Sequence, residues 1–137
     1  APAAEIPKQI YANLFCITPN QSEAELLTGV TIVDKASAEK AAQVLLNRGA
    51  DNVVITMGSQ GALLSNAAGA FFEAAGSVTV VDTTGAGDTF NGFFTAMIAS
   101  GKSLQDALAT AVFAASQSVQ VAGAIPSIPY LNSGELP

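Results

Sequence analysis

The segment Val80-Val81-Asp82-Thr83-Thr84-Gly85-Ala86-Gly87-Asp88 passes from β-branched residues, through glycines, into a run with helical spacing. Its small residues let the backbone turn tightly with amides pointing off the helix start. A helix amino terminus carries about half a positive charge, so such a turn binds phosphate oxygens without a lysine. Asp88 stands at the mouth of this pocket, where its charge opposes the anion the pocket attracts. Service as the base for a substrate hydroxyl would justify that placement. The alternative is an acidic first-turn residue complementing the helix dipole, and spacing alone leaves both readings open. No Gly-Lys-Ser/Thr follows, which excludes the P-loop, and Gly85-x-Gly87 lacks the third glycine of the dinucleotide fingerprint.

Two further segments have chemistry-bearing residues at element ends. Asn20-Gln21-Ser22-Glu23 follows an apolar run, and an Asn with a Glu three residues on makes a capping-box-like pair. On those residues alone, capping is the stronger reading. Thr56-Met57-Gly58-Ser59-Gln60-Gly61 follows a buried β-branched run. Glycines and hydroxyls beyond a strand's carboxyl end approach ligands closely in open α/β sheets, although an ordinary hairpin turn uses the same residues.

The elements that position these segments follow from periodicity. Leu14 to Thr18 reads as a buried strand stopped at Pro19, followed by a helix from about Gln21 to Leu27 that ends at Gly29. Ser37 caps a predicted helix to about Arg48, with Ala38, Ala41, Ala42 and Leu45 on one face. Val53-Val54-Ile55, within a strand from Asp51 to Met57, suits burial on both faces. Ala62 to Ser65 and Ala70 to Glu73 predict a hairpin, and Val78 to Val81 a further strand. Phe90, Phe93, Phe94, Met97 and Ile98 place a helix over Gly87 to Ser100. A last helix runs from about Leu104 to Val121, with Leu104, Leu108, Ala111, Val112, Ala115 and Val119 inward. Strands alternating with helices indicate an α/β layer structure with an added hairpin.

Composition narrows the chemistry. The 137 residues suffice for one domain, half of them are apolar and 12% are charged, which is far from a disordered composition. Eleven acidic against five basic side chains leave no cationic face for nucleic acid. Without histidine, and with Cys16 alone, neither Ser-His-Asp catalysis nor a zinc site is available. Cys16 in Leu14-Phe15-Cys16-Ile17 reads as a buried, reduced thiol, which fits the cytoplasm. No apolar run nears the ~20 residues of a membrane span. The opening Ala1-Pro2-Ala3-Ala4 looks like the interior of a longer chain.

Taken in order, the three segments resemble the ribokinase, or phosphofructokinase B, family of carbohydrate kinases. Thr18-Pro19-Asn20-Gln21-Ser22-Glu23 is similar to the family's Asn-x-x-Glu segment, and Thr56 to Gly61 to its nucleotide-binding turn. Asp82 to Gly92 is similar to its signature near the carboxyl end, and Gly123 to Pro129 to a cation-holding loop. The resemblance implies a ribokinase-like three-layer α/β fold with a mostly parallel sheet, of which this chain is the carboxy-terminal half. It also implies ATP-dependent transfer of a phosphoryl group to a sugar hydroxymethyl group, with Asp88 as base and the amides of Gly85, Ala86 and Gly87 as the anion hole. Asn20 would bind the nucleotide and Glu23 organise magnesium, while Thr56, Met57, Gly58, Ser59, Gln60 and Gly61 would line the ATP site with Gly87 and Val112. Oxygens of Asp82, Thr84, Ser118, Val121, Gly123 and Ser127 would hold potassium.

The family's chains are roughly twice as long, so the sugar contacts, the lid and the dimer interface are expected in an absent amino-terminal half, the chain's implied partner. The chain alone is then expected to be inactive. The alternatives are a nucleoside or other small-molecule kinase of the same fold, or a nucleotide-binding remnant without turnover.

Overall fold

The computed structural model describes residues 6–130. The described residues up to Gly58, with Ala62–Phe72, form one compact unit, and Ser59–Gly61 with Glu73 onward form a second.

The first unit is built on an antiparallel sheet. Strand β1 (Asn52–Thr56) pairs with β2 (Gly61–Asn66) from Asn52 opposite Asn66 to Thr56 opposite Ala62, and β3 (Gly69–Ala74) lies on the other side of β2. Val53, Val54 and Ile55 are all fully buried, as a continuous β-branched run requires. Val53, Ile55 and Leu63 join a core with Ala24 of helix α2 (Gln21–Thr28) and with Ala38, Ala41, Ala42 and Leu45 of α3 (Lys35–Asn47). The alanine face lets α3 lie close to the sheet. A four-residue helix, α1 (Lys8–Tyr11), adds the buried ring of Tyr11, with the Arg48 guanidinium 5.7 Å from its centre. Helix α2 ends at Gly29, whose φ of 75° is the left-handed turn that glycine favours. Helix α3 starts two residues before the predicted cap. Asp34 accepts from the Ser37 amide while the Ser37 hydroxyl accepts from the Asp34 amide, so Ser37 is the third residue of a capping box. The Ser37 hydroxyl, followed by its amide, holds the Asp34 carboxyl below its ordinary range.

Two predicted strands did not form. Between Leu14 and Thr18 the chain runs parallel to β1 but makes only isolated bridges, Ile17 with Val53 and Asn20 with Thr56. The Ile17 amide donates to Asn52 O, the Val54 amide to Ile17 O and the Thr56 amide to Pro19 O. The missing rung is the one Pro19 would donate, because proline has no amide hydrogen. Val78 to Val81 pairs with nothing in a ladder, and Val80 and Val81 are exposed. β-Branched residues favour a strand only where an edge offers partners, and the Val81 and Asp82 amides both donate to Val119 O instead. Among the described residues the expected mostly parallel sheet is therefore an antiparallel sheet with two parallel bridges.

The second unit is a pair of helices, α4 (Ala86–Ala99) and α5 (Leu104–Ser118), packed on each other. The buried rings of Phe90 and Phe94 stack at 5.9 Å on the inner face of α4. Across them, α5 buries Ala107, Leu108, Ala111, Val112 and Ala114, and also Thr110, Ser116 and Ser118, a wider face than the predicted apolar stripe. It ends at Ser118 rather than Val121. The Gln120 and Val121 amides donate three residues back, to Gln117 and Ser118, which tightens the chain out of the helix. None of the helices among the described residues is long and apolar enough to cross a membrane.

Candidate functional site

The turn into α4 is set by Gly85, which caps the helix at φ 78° with no side-chain hydrogen bond. A Cβ at Gly85 would lie 3.2 Å from the Ala124 Cβ, so glycine is needed both for the backbone and for the close approach of the 121–128 loop. The Ala86 amide donates to Thr83 O and the Thr89 amide to Gly85 O. Between them, the Gly87 and Asp88 amides have no acceptor among the described residues. Two backbone donors at a helix start, with the Asp88 side chain exposed beside them, are what an anion pocket with a base at its mouth requires.

Asp82 fastens this turn to the following loop. Its Oδ1 accepts the Thr84 amide at 2.9 Å, and its Oδ2 accepts the Gly123 amide at 2.8 Å. These bonds, Gly123 first, hold the Asp82 carboxyl down at about 2. Ser118 Oγ donates to Ala115 O and Ser127 Oγ to Ala124 O, which leaves lone pairs on both hydroxyls. Of the residues assigned to potassium, Thr84 and Gly123 thus meet the Asp82 carboxylate, and the side-chain groups of the set are all oxygen donors, which suit a hard cation. No cluster of three or more His, Cys, Asp or Glu able to hold a metal exists among the described residues.

Beside the turn, a cavity of about 270 Å³ is lined by Asp88, Thr89, Gly92, Phe93, Ala96 and Ile128. The Thr89 hydroxyl is buried there without a hydrogen-bond partner among the described residues.

In the first unit, Asn20 and Glu23 form a full capping box. Asn20 Oδ1 accepts the Glu23 amide and Glu23 Oε2 accepts the Asn20 amide, both at 2.9 Å. The capping reading of these residues is therefore correct. It leaves Glu23 Oε1 without a partner among the described residues, so one carboxylate oxygen is available to a water-held magnesium ion. The bridge between Asn20 and Thr56 sets this box against the end of β1, next to Met57 and Gly58. Gly58–Gln60 form one turn of 3₁₀ helix, and a Cβ at Gly61 would strike the Glu73 carbonyl. Val112 is 6% exposed, which leaves little of it to meet a nucleotide. Cys16 is half-buried, and that burial pushes its thiol up to about 12, so it is no nucleophile at neutral pH.

A family model described as pfkB family carbohydrate kinase matches residues 2–131. The chain belongs to the pfkB carbohydrate kinases. Among curated members, it is 40% identical to the ribokinase of Haemophilus influenzae over 94% of this chain, and 41% identical to that of Mus musculus over 95%. It spans 42% of the length of each of these relatives. The ribokinase of Arabidopsis thaliana, solved with ribose and ATP, superposes with a TM-score of 0.86 at 34% identity, over 92% of this chain and 41% of that one. The aminoimidazole riboside kinase of Salmonella enterica, solved with aminoimidazole riboside and an ATP analogue, gives 0.79 at 29%, over 90% and 41%. The ribokinase-like α/β fold of this pfkB member is thereby established.

Sequence reasoning placed the pfkB signature correctly on a turn into a helix, but it missed Ala124, Thr89 and Ile128. Ala124 had one local signal, the neighbouring Gly123. Thr89 and Ile128 had none, since what they line depends on chain packing.

Proposed function

We propose that this chain supplies the phosphoryl-transfer side of an ATP-dependent, ribokinase-like sugar kinase. The observation that carries the reading is the α4 turn: the Gly87 and Asp88 amides are free of acceptors while the Asp88 carboxylate is exposed beside them. A sugar hydroxymethyl oxygen attacks the terminal phosphorus of ATP, its proton passes to Asp88, and the bond from that phosphorus to the bridging oxygen breaks to release ADP. The amides of Gly85, Ala86 and Gly87 face the oxygens that gain charge, with the Ala86 amide already shared with Thr83 O. Asn20 and the Thr56–Gly61 turn, with Val112, hold the nucleotide in this reading. Glu23 would hold magnesium bound with ATP, which would supply neutralisation of phosphate charge, and Asp82, Thr84, Ser118, Val121, Gly123 and Ser127 would hold potassium beside the turn. The location proposed with it is the cytoplasm.

The portion of the relatives' length that this chain does not span holds the sugar contacts in this reading. The chain alone then turns sugar over negligibly, because the base and the phosphate site lose the benefit of an oriented substrate. Assignment of the chain to the carboxy-terminal end rests on the resemblance of the Asp82–Gly92 signature alone.

The test is Asp88→Asn in a protein of full family length that contains this sequence. Turnover is expected to fall by roughly a hundredfold or more, with ATP affinity held or improved because a negative charge has left the phosphate pocket. Near-normal turnover with a stability loss of at most about 1 kcal/mol would instead make Asp88 a helix-dipole residue.

A further inference from the structure

Strand β1 opens on a buried polar side chain, Asn52, which is 6% exposed. Its amide is used at both ends. Nδ2 donates to Phe15 O at 2.7 Å, and Oδ1 accepts from Asn66 Nδ2 at 3.0 Å. The first bond reaches the Leu14–Asn20 segment, and the second reaches the end of β2. The segment needs such an anchor more than the strands do. Cys16, Ile17 and Thr18 are half-buried alike, so it lacks the in-and-out alternation that ordinarily fixes register, and Pro19 removes a rung. Its two bridges, Ile17 with Val53 and Asn20 with Thr56, nevertheless follow a single register. A buried side-chain amide is destabilising unless its donor and acceptor are both satisfied, so it selects the one alignment that satisfies them, as a buried Asn does in a coiled coil.

We infer that Asn52 is a positioning residue for the nucleotide side of the site: its bond to Phe15 O sets the register of the Leu14–Asn20 segment on β1, and so the place of Asn20 and Glu23 beside Thr56. The inference rests on the proposed roles of Asn20 and Glu23 towards ATP and its magnesium. A slip of the segment by one residue turns every side chain to the other face, and a slip of two shifts it by roughly 6–7 Å along β1. Either takes Asn20 from its bridge with Thr56. Asn20 and Glu23 cap one another, so they move as a unit and the capping box survives the slip. The stability of α2 therefore does not report the register, whereas nucleotide affinity does.

In a protein of full family length that contains this sequence, Asn52→Ala is expected to raise the KM for ATP about tenfold, while the KM for sugar stays within about twofold and kcat within about threefold. Amide exchange at Ile17, Val54 and Thr56, which join the segment to β1, should quicken by at least about tenfold with no nucleotide present. Asn52→Thr keeps a strand-forming residue with an oxygen for Asn66 but falls short of Phe15 O. It is expected to act as Asn52→Ala does, and it decides the matter if the alanine variant does not fold. Asn66→Ala is the matched control, since it unpairs the other end of the same amide and leaves the Phe15 bond in place. It should lower the melting temperature comparably with the KM for ATP unchanged. An equal rise in that KM for both variants would overturn the inference, because Asn52 would then act only through stability. Unchanged amide exchange in Asn52→Ala would overturn it as well. Asn20→Ala separates this failure from that of the underlying reading. If it raises the KM for ATP and Asn52→Ala does not, the positioning role alone falls; if neither does, the nucleotide role of Asn20 falls and the inference with it.

Discussion

At the start of α2 the Asn20 and Glu23 side chains take up each other's backbone amides, and at the start of α3 Asp34 and Ser37 do the same. Helix α5 is closed by Ser103, whose hydroxyl accepts from the Asp106 amide. Helix α4 begins on Gly85, with no side chain to offer, and keeps two amides open. The four helices face the same requirement, because the first amides of any helix have no intrahelical acceptor. Three meet it from their own sequence, and α4 has no side-chain cap of its own. In the proposed function, this difference is how a chain with a net charge of −6 would attract phosphate locally, through backbone amides left uncapped.

The strongest way to break this contrast is to alter the open start. Gly85→Ala forces a side chain into left-handed backbone and against Ala124. A stability loss of about 1–2 kcal/mol is expected, together with roughly tenfold weaker ATP binding, a difference of about 1.4 kcal/mol, measured by urea unfolding and titration calorimetry on the family-length protein. Gly29→Ala is the matched control, since Gly29 has a φ of 75° and open space around it. Its backbone strain should be similar and its effect on ATP absent. Equal weakening by both would mean that Gly85 acts only through the fold.

The sealed start sharpens the contrast at a smaller scale. Asn20→Ala removes the cap of α2 and is expected to lower stability by about 1 kcal/mol, with a smaller loss of ATP affinity than Gly85→Ala. An ATP loss as large as that of Gly85→Ala would show that sealing a helix start does not prevent it from serving as a receptor.

The smallest expected effect lies in acid. The Asp82 carboxyl titrates at about 2 in the fold against an ordinary 3.8. Its bonds to Gly123 and Thr84 therefore contribute fully above the ordinary value and are lost as pH falls from about 4 through about 2. Asp82→Asn should flatten the fall of stability across that window in urea titrations. An unchanged acid limb would mean that the latch contributes nothing to the second unit.

Much of this was legible because caps and turns are local chemistry. The alanine face of α3, the Gly29 stop and the hairpin follow from spacing, and the Asn20 and Gly85 segments were located by their turn residues. The strand expected at Val78–Val81 failed because propensity cannot supply a neighbouring edge. The Asp34 start of α3 was missed because Ser37 is also a favoured cap. At the site, the contacts of Gly85 with Ala124 and of Asp82 with Gly123 join distant positions, and no periodicity announces them.

The bond from Asp82 to Gly123 spans 41 residues and encloses both α4 and α5. Closing a loop of that length costs conformational entropy before any contact is gained. The latch is therefore expected to form late in folding, after the two helices have found each other through Phe90, Phe94 and their partners. A nascent or partly unfolded chain would then have the signature residues without the turn they form, and in the proposed function phosphate binding would report that the helical hairpin has closed.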